Sequence, residues 1–217
     1  MNASYPGDRR LRSEDPVADG GSGMAGTLVG LTTRGGVLLA ADTRTSEGTV
    51  VRSERVQKIE RVHPTAAMGS TDHLGTVQSF IRTIRLEAGR YETDRGEPMT
   101  LAELGTVAAE ELRSASAPGT FVLGGVDDDG SHVFSLRRDG GVLEDEYVVV
   151  GSGQQLAAGV LEAEATESLT MAEAPRIAGR VLESSAKRDA QTGVGVRVAE
   201  ITAAGVDLHE YESIDDR

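Results

Sequence analysis

The chain has 217 residues, with 35 acidic against 22 basic side chains and a net charge of −13. This length allows one large domain or two small ones with a buried core, and an apolar fraction of 38% predicts a globular protein. The absence of cysteine excludes disulfides, thiolate metal sites and a cysteine nucleophile. The acidic balance argues against a nucleic-acid partner, and no apolar run is long enough for a membrane helix.

The basic residues are nearly all arginine, because only Lys58 and Lys187 are lysines. An acidic, lysine-poor surface is typical of proteins in a salt-loaded cytoplasm, where salt screens the repulsion between like charges. A GC-rich genome that favours arginine codons explains the same bias. The N-terminus has no apolar core for a signal peptide, so a cytoplasmic protein is expected.

Residues 1–25 contain two prolines, scattered charges and a glycine-rich end without periodicity. This composition predicts a flexible leader or propeptide-like segment. Residues 26–217 are then expected to form the folded domain.

The rest of the chain alternates between runs typical of strands and runs typical of helices. Thr100 and Glu103 have the spacing of a capping box at the start of one helix. In chain order we predict a hairpin of strands at 27–33 and 37–43, a strand pair at 50–52 and 58–62, a strand at 66–68, helices at 74–91 and 100–113, strands at 120–126, 132–136 and 147–151, helices at 154–166 and 171–188, and strands at 193–202 and 206–211.

Helices grouped in pairs between runs of strands predict layers of sheet and helix rather than a βαβ alternation. The simplest closed arrangement has two sheets face to face with a helix pair outside each sheet. This is an α+β fold in four layers, an αββα sandwich.

Several short motifs carry little chemistry. The four histidines are scattered without metal-ligand spacing, so neither a metal nor another cofactor is expected. Gly-Ser-Gly at 151–153, between a strand and a helix, is either a tight turn or a weak anion-binding signal. The acidic run at 127–129 predicts a solvated turn rather than a calcium loop.

Four segments carry a more specific signal: TLVGLTTRGGVLLAADTRTSEG, RVQKIERVHPTAAMGST, the GSG turn and AKRDAQTGVGVRVAEI. Together they resemble a β-type subunit of the 20S proteasome, of the archaeal and haloarchaeal-like kind. The resemblance runs from about Gly26 to Glu210. It implies an N-terminal nucleophile hydrolase with an αββα sandwich, in which a leader is cut off after a glycine and the freed threonine attacks peptide bonds.

Such a site needs a base and a cation beside the hydroxyl. A freed α-amino group, with an ordinary pKa of about 7.7–8.0, can take the proton of the hydroxyl, and a nearby ammonium stabilises the resulting anion. The resemblance assigns the ammonium to Lys58, with Asp42 beside it. It assigns the neighbours of the amine to Ser152, Asp189 and Thr192.

Two positions depart from the family pattern. Aligned without gaps through Val29 and Gly30, the position of the nucleophilic threonine is occupied by Gly26, which has no side chain. Thr27 falls on the next position, where strand alternation turns its side chain to the opposite face. Asp72 stands where the family has a glycine whose N–H holds the developing oxyanion, and a negative charge there opposes that stabilisation.

Three functions are therefore open. The first is a catalytically impaired proteasome β-type paralogue, with a structural or modulatory place in a ring of α-type and β-type subunits. The second is an active threonine endopeptidase that cuts itself between Gly26 and Thr27, uses Thr27 as nucleophile and takes polypeptide substrates. The third is a stand-alone scaffold or binding protein of the same fold, as a monomer or a homo-oligomer.

Overall fold

The computed structural model describes residues 26–115, 119–164 and 168–212, and the predicted leader at 1–25 lies outside this part of the chain. The described elements are β1 (Thr27–Thr33), β2 (Gly36–Asp42), β3 (Thr45–Glu47), β4 (Val50–Ser53), β5 (Ile59–His63), β6 (Ala66–Ser70), α1 (Leu74–Arg95), α2 (Leu101–Ser114), β7 (Thr120–Asp127), β8 (Gly130–Arg137), β9 (Val142–Glu144), β10 (Tyr147–Gly151), α3 (Gln154–Glu164), α4 (Ala174–Ala186), β11 (Val196–Thr202) and β12 (Gly205–Tyr211).

The strands form two antiparallel five-stranded sheets, ordered β10-β1-β2-β11-β12 and β5-β6-β7-β8-β9, and β3 pairs with β4 in a small separate sheet. One apolar cluster lies between α1, α2 and the second sheet, another between α3, α4 and the first sheet, and a third between the two sheets. The predicted α+β αββα sandwich is thereby confirmed. Over the described ranges, no helix combines the length and apolarity needed to cross a membrane.

Strand β2 illustrates why the layers stack in this order. All seven of its residues are buried, because both of its faces are covered. Val37 and Leu39 belong to the cluster between the sheets, whereas Leu38 and Ala40 belong to the cluster under α3 and α4. Alternate side chains of one strand thus fill two different cores.

The hairpin of β1 and β2 and the capping box are confirmed. Thr100 Oγ1 accepts from Glu103 N at 3.2 Å, and Glu103 Oε2 accepts from Thr100 N at 2.9 Å. The predicted pairing of 50–52 with 58–62 is wrong: β4 pairs with β3, and β5 pairs with β6. Two strands of only three residues, β3 and β9, were too short to give a periodic signal.

Two predicted elements begin later than their sequence pattern suggested. Helix α4 begins at Ala174 rather than at 171, because the Glu173 carboxylate accepts from both Thr170 N and Thr170 Oγ1 and closes a turn there. Strand β11 begins at Val196 rather than at 193. Helix α3 is described to Glu164, and the last residues of its predicted range lie outside the described part.

The two sheets approach closely where glycines face each other's side chains. A Cβ atom on Gly124 of β7 would lie 2.8 Å from Val37 Cγ1 and 2.9 Å from Leu39 Cδ2 in the other sheet. A Cβ atom on Gly30 of β1 would lie 2.8 Å from Val133 Cγ1. Since real Cβ contacts are longer, these positions require glycine for the sheets to close over the core.

We expect Gly124→Ala to lower the free energy of unfolding by about 1–3 kcal/mol, because the added methyl overpacks the layer between the sheets. Gly105→Ala in α2 is the matched control, since its Cβ would meet neighbours at 3.7–3.9 Å, which is ordinary contact. That control should stabilise the protein by about 0.5–1 kcal/mol through helix propensity. Chemical denaturation of both variants measures the difference, and equal effects would contradict the close approach of the sheets.

Candidate functional site

The residues assigned by the family resemblance meet at the start of β1. This strand lies between β10 and β2, so its first residue is flanked by Gly151 on one side and by the end of β2 on the other. The segment before β5 and the segment after α4 close the remaining sides. The residues brought together are Gly26, Thr27, Asp42, Lys58, Ser152, Asp189 and Thr192.

Asp42 ends β2, and its carboxylate is fully buried, with 0% exposure. Its Oδ1 accepts from Thr27 N at 2.8 Å and from Lys58 Nζ at 2.7 Å. Its Oδ2 accepts from Arg44 N at 2.9 Å and from Gly193 N at 2.8 Å. Four donors from four segments compensate the loss of water around this charge.

Lys58 lies immediately before β5 and is 4% exposed. Burial lowers the pKa of its ammonium below the usual lysine value, because the charged form loses hydration. The charge of Asp42 and the hydrogen bond to it oppose this shift. The rare lysine of the sequence is therefore one half of a buried ion pair.

A second network runs on the other side of Thr27. Ser152 Oγ and Thr192 Oγ1 both donate to Asp189 Oδ2 at 2.6 Å. Because the Thr192 proton is given to the carboxylate, its oxygen accepts from Thr27 Oγ1 at 2.8 Å. Ser152 Oγ accepts from Gly26 N at 3.0 Å. Hydrogen bonds thus connect the Thr27 hydroxyl to the Asp189 carboxylate through Thr192, and the Gly26 amide to the same carboxylate through Ser152.

Gly26 lies directly beside the Asp42–Lys58 pair. A Cβ atom built on Gly26 would overlap both Asp42 Oδ1 and Lys58 Nζ, and its φ of +97° is a conformation that side chains rarely adopt. The position at which the resemblance places the nucleophile therefore has no side chain, and the space for one is closed.

Thr27 is the nearest threonine to that position, and it is 0% exposed. Its hydroxyl lies among Thr192, Gly153 and Ser185, since a Cβ atom on Gly153 would overlap Thr27 Oγ1 and crowd the Ser185 side chain. Its backbone N–H, not its hydroxyl, is the group that donates to Asp42. Thr27 is held as a buried strand residue.

Asp72 follows β6 at the start of α1. Its N–H donates to Ser70 Oγ at 3.3 Å, and its Oδ1 accepts from His73 N at 2.7 Å. The other carboxylate oxygen lies against the backbone of Gly119, where a Cβ atom would overlap it. An oxyanion that bound to the Asp72 N–H would have to displace Ser70 Oγ as the hydrogen-bond acceptor of that group.

Gly193, Gly153 and Arg44 support this site through contacts that sequence reasoning did not assign to them. Gly193 supplies an N–H to Asp42, and Gly153 leaves the room that the Thr27 hydroxyl occupies. The Arg44 guanidinium donates to Ala190 O at 2.9 Å and to Thr192 O at 3.2 Å, which fixes the segment after α4. The glycines of GSG and QTGVG were the available signal, because a close approach of two chain segments favours glycine.

Comparison with known proteins agrees with this fold. The family model described as proteasome subunit matches residues 23–201. A proteasome subunit beta of Natrialba magadii is 44% identical over 196 residues, which is 88% of this chain and 79% of the relative. Proteasome subunit beta 2 of Haloterrigena turkmenica is 45% identical over 87% of this chain and 81% of the relative. A proteasome subunit beta of Halobacterium salinarum is 42% identical over 96% and 85%, respectively.

The chain belongs to the proteasome subunit family, and its relatives named above are haloarchaeal β subunits. The resemblance found in the sequence is confirmed at this level.

We expect Lys58→Met to lower the free energy of unfolding by about 3 kcal/mol or more, because Asp42 is left as a buried charge without a counter-ion. Lys187→Met is the matched control: it removes the other lysine, whose exposed side chain pairs with Glu183 on the surface, and should leave stability nearly unchanged. Urea denaturation of both variants at one salt concentration measures the effect. Equal losses would show that Asp42 does not depend on Lys58.

Proposed function

We propose that this chain is a β-type proteasome subunit without peptidase activity of its own, which takes a structural or modulatory place in a cytoplasmic ring of α-type and β-type subunits. The proposed subunit domain covers residues 26–217, preceded by the leader at 1–25. One observation carries the proposal: Gly26 lies beside Lys58, while the hydroxyl of the next residue, Thr27, is fully buried and donates to Thr192.

Nucleophilic attack requires a reacting oxygen about 3–3.5 Å from the substrate carbonyl. The Thr27 hydroxyl has 0% exposure, so a substrate carbonyl has no direct approach to it. In the uncleaved chain its nitrogen is an amide N–H that donates to Asp42, so Thr27 has no general base of its own unless the chain is cut between Gly26 and Thr27.

Asp72, at the position where the resemblance expects an oxyanion-binding glycine, adds a second obstacle. The Asp72 N–H already has Ser70 Oγ as acceptor, and the Asp72 side chain brings a carboxylate to the turn. Electrostatic stabilisation of the oxyanion usually contributes more to such catalysis than any other effect, and a nearby negative charge weakens it. Two independent defects support an inactive subunit more strongly than either alone.

An active threonine endopeptidase is the second candidate, and one observation favours it. The residues that the resemblance assigns around the amine and the hydroxyl are hydrogen-bonded in two groups, which Thr27 connects: Asp42 with Lys58, and Asp189 with Ser152 and Thr192. Cleavage between Gly26 and Thr27 would free the Thr27 amine next to Asp42. Activity would then require β1 to shift, so that the Thr27 side chain moves to the face of Lys58.

Intact mass and peptide hydrolysis decide between these two candidates. We expect the purified full chain, alone and in the complex isolated from its native source, to show no hydrolysis that depends on Thr27. Wild type and Thr27→Ala should give the same background rate with fluorogenic peptides, and Thr106→Ala, an exposed α2 residue, is the control. A mature mass that begins at Thr27, together with hydrolysis abolished by Thr27→Ala, would overturn the proposal. A monomer or small oligomer on sizing, without α-type subunits, would instead favour the stand-alone scaffold.

We also expect Gly26→Thr to gain no peptidase activity and to lower the free energy of unfolding. The backbone strain of a side chain at this φ is about 1–3 kcal/mol, and overlap with the buried Asp42–Lys58 pair adds to it.

Gly35→Thr separates the two effects. Gly35 has a similar φ of +111° but no atom within 4 Å of its Cβ position, so it carries the backbone strain alone. Thermal unfolding and peptide hydrolysis of both variants test the expectation. Hydrolysis in Gly26→Thr, or a smaller loss of stability than in Gly35→Thr, would contradict it.

A further inference from the structure

A cavity of about 530 Å³ lies on the side of the molecule where the two sheets end. Strand β5 is the edge of one sheet and β12 is the edge of the other. The cavity is lined by residues of β5 and by Arg85 of α1, Arg197 of β11 and Leu208 of β12. We call it the arginine cavity, after Arg61, Arg85 and Arg197, and none of these residues takes part in the site at Gly26.

Two of the arginines occupy the free edge of β5. Arg197 Nε donates to Ile59 O at 3.2 Å, and Arg85 donates to Arg61 O from Nε at 3.1 Å and from Nη2 at 2.6 Å. An exposed strand edge normally offers its carbonyls to an additional strand. Here two outward carbonyls are already bonded, so a partner cannot pair with this edge as a regular β-strand at those positions. Recognition has to come from side chains.

The charge of the cavity is opposite to that of the whole chain. Three arginines line it in a protein with a net charge of −13. Glu60 pairs with Arg85 at 3.2 Å, and Glu210 pairs with Arg197 at 3.2 Å. The Arg61 side chain has no ion pair or hydrogen bond with any residue in the described part of the chain. One full positive charge is thus left without a carboxylate.

Guanidinium groups have five N–H donors in a planar fork that matches a carboxylate. Arg85 and Arg197 each use only some of their donors on the protein, and Arg61 uses none on the described residues. Charge-assisted bonds of this kind are about twice as strong as neutral ones. The cavity therefore suits carboxylates.

The lining residues indicate a chain segment rather than a single small anion. Glu60, Arg61, Val62 and His63 line the cavity consecutively along β5, and four residues of a strand span about 13 Å at about 3.3 Å per residue. Leu208, which is 39% exposed, adds an apolar contact at the β12 side. We propose that the arginine cavity binds an extended acidic segment of a partner polypeptide, with Arg61 as its principal anchor. This proposal does not depend on whether the chain is a peptidase.

The probe for the test is a fluorescein-labelled hexaglutamate peptide, titrated with the full chain at the lowest salt concentration that keeps it folded. We expect saturable binding that weakens at least tenfold in Arg61→Glu and in Arg61→Gln. Arg82→Glu is the matched control, because Arg82 is exposed on α1 outside the cavity and the charge change is the same. It should change the affinity less than twofold, and labelled hexaglutamine should not bind.

Circular dichroism checks that Arg61→Glu remains folded. This is expected, because the exposed Arg61 side chain makes no hydrogen bond or ion pair with the described residues. Equal weakening in Arg61→Glu and Arg82→Glu would overturn the proposal in favour of diffuse charge attraction. Competition by inorganic phosphate with equal affinity would also overturn the proposal, because the cavity would then be a site for small anions. A dimer of this chain, seen by light scattering and broken by Arg61→Glu, would make a second copy the occupant and overturn the assignment to a partner.

Discussion

The buried carboxylate of Asp42 is the constraint on which the arrangement around β1 depends. A charge without water must be matched by donors. Here these come from β1, from Arg44 two residues after the end of β2, from the segment before β5 and from the segment before β11. None of the four can move alone without leaving part of the charge unpaired. The Asp42 carboxylate therefore holds β1, the segment before β5 and the segment before β11 to the end of β2, whether or not any of them takes part in chemistry.

Thr27 connects this centre to the network around Asp189. Its amide donates to Asp42, and its hydroxyl reaches Asp189 through Thr192. Both of its polar groups are satisfied inside the protein, which is what a buried polar residue needs for stability. The residues that the resemblance assigns to the site have here a sufficient structural reason to be present. Their presence is therefore compatible with a subunit that only supports its neighbours.

The layers of the fold could be predicted from the sequence, because hydrophobic periodicity is a local signal. The set of residues around the site was implied by the family resemblance, and the structure brings these residues together. The pairing of β4 with β3 could not be predicted, since short exposed strands lack periodicity. The late start of β11 was also hidden, because the Gly193 N–H bonds to Asp42, far away in sequence. Likewise, only the structure places the Thr27 hydroxyl against Thr192 and the Asp72 N–H against Ser70. Such partners depend on tertiary contacts that no window of sequence contains.

The closed space beside Gly26 has a consequence for the history of this chain. A mutation that gives residue 26 a side chain places it in overlap with the Asp42–Lys58 ion pair. The backbone at this residue also has a positive φ, which favours glycine. The side chain becomes useful only after Asp42, Lys58 and the start of β1 have been rearranged, and those rearrangements bring no benefit while residue 26 is still glycine. Single substitutions under selection for folding therefore keep glycine at residue 26, and a side chain there becomes accessible only through a combined change of residue 26 and its neighbours.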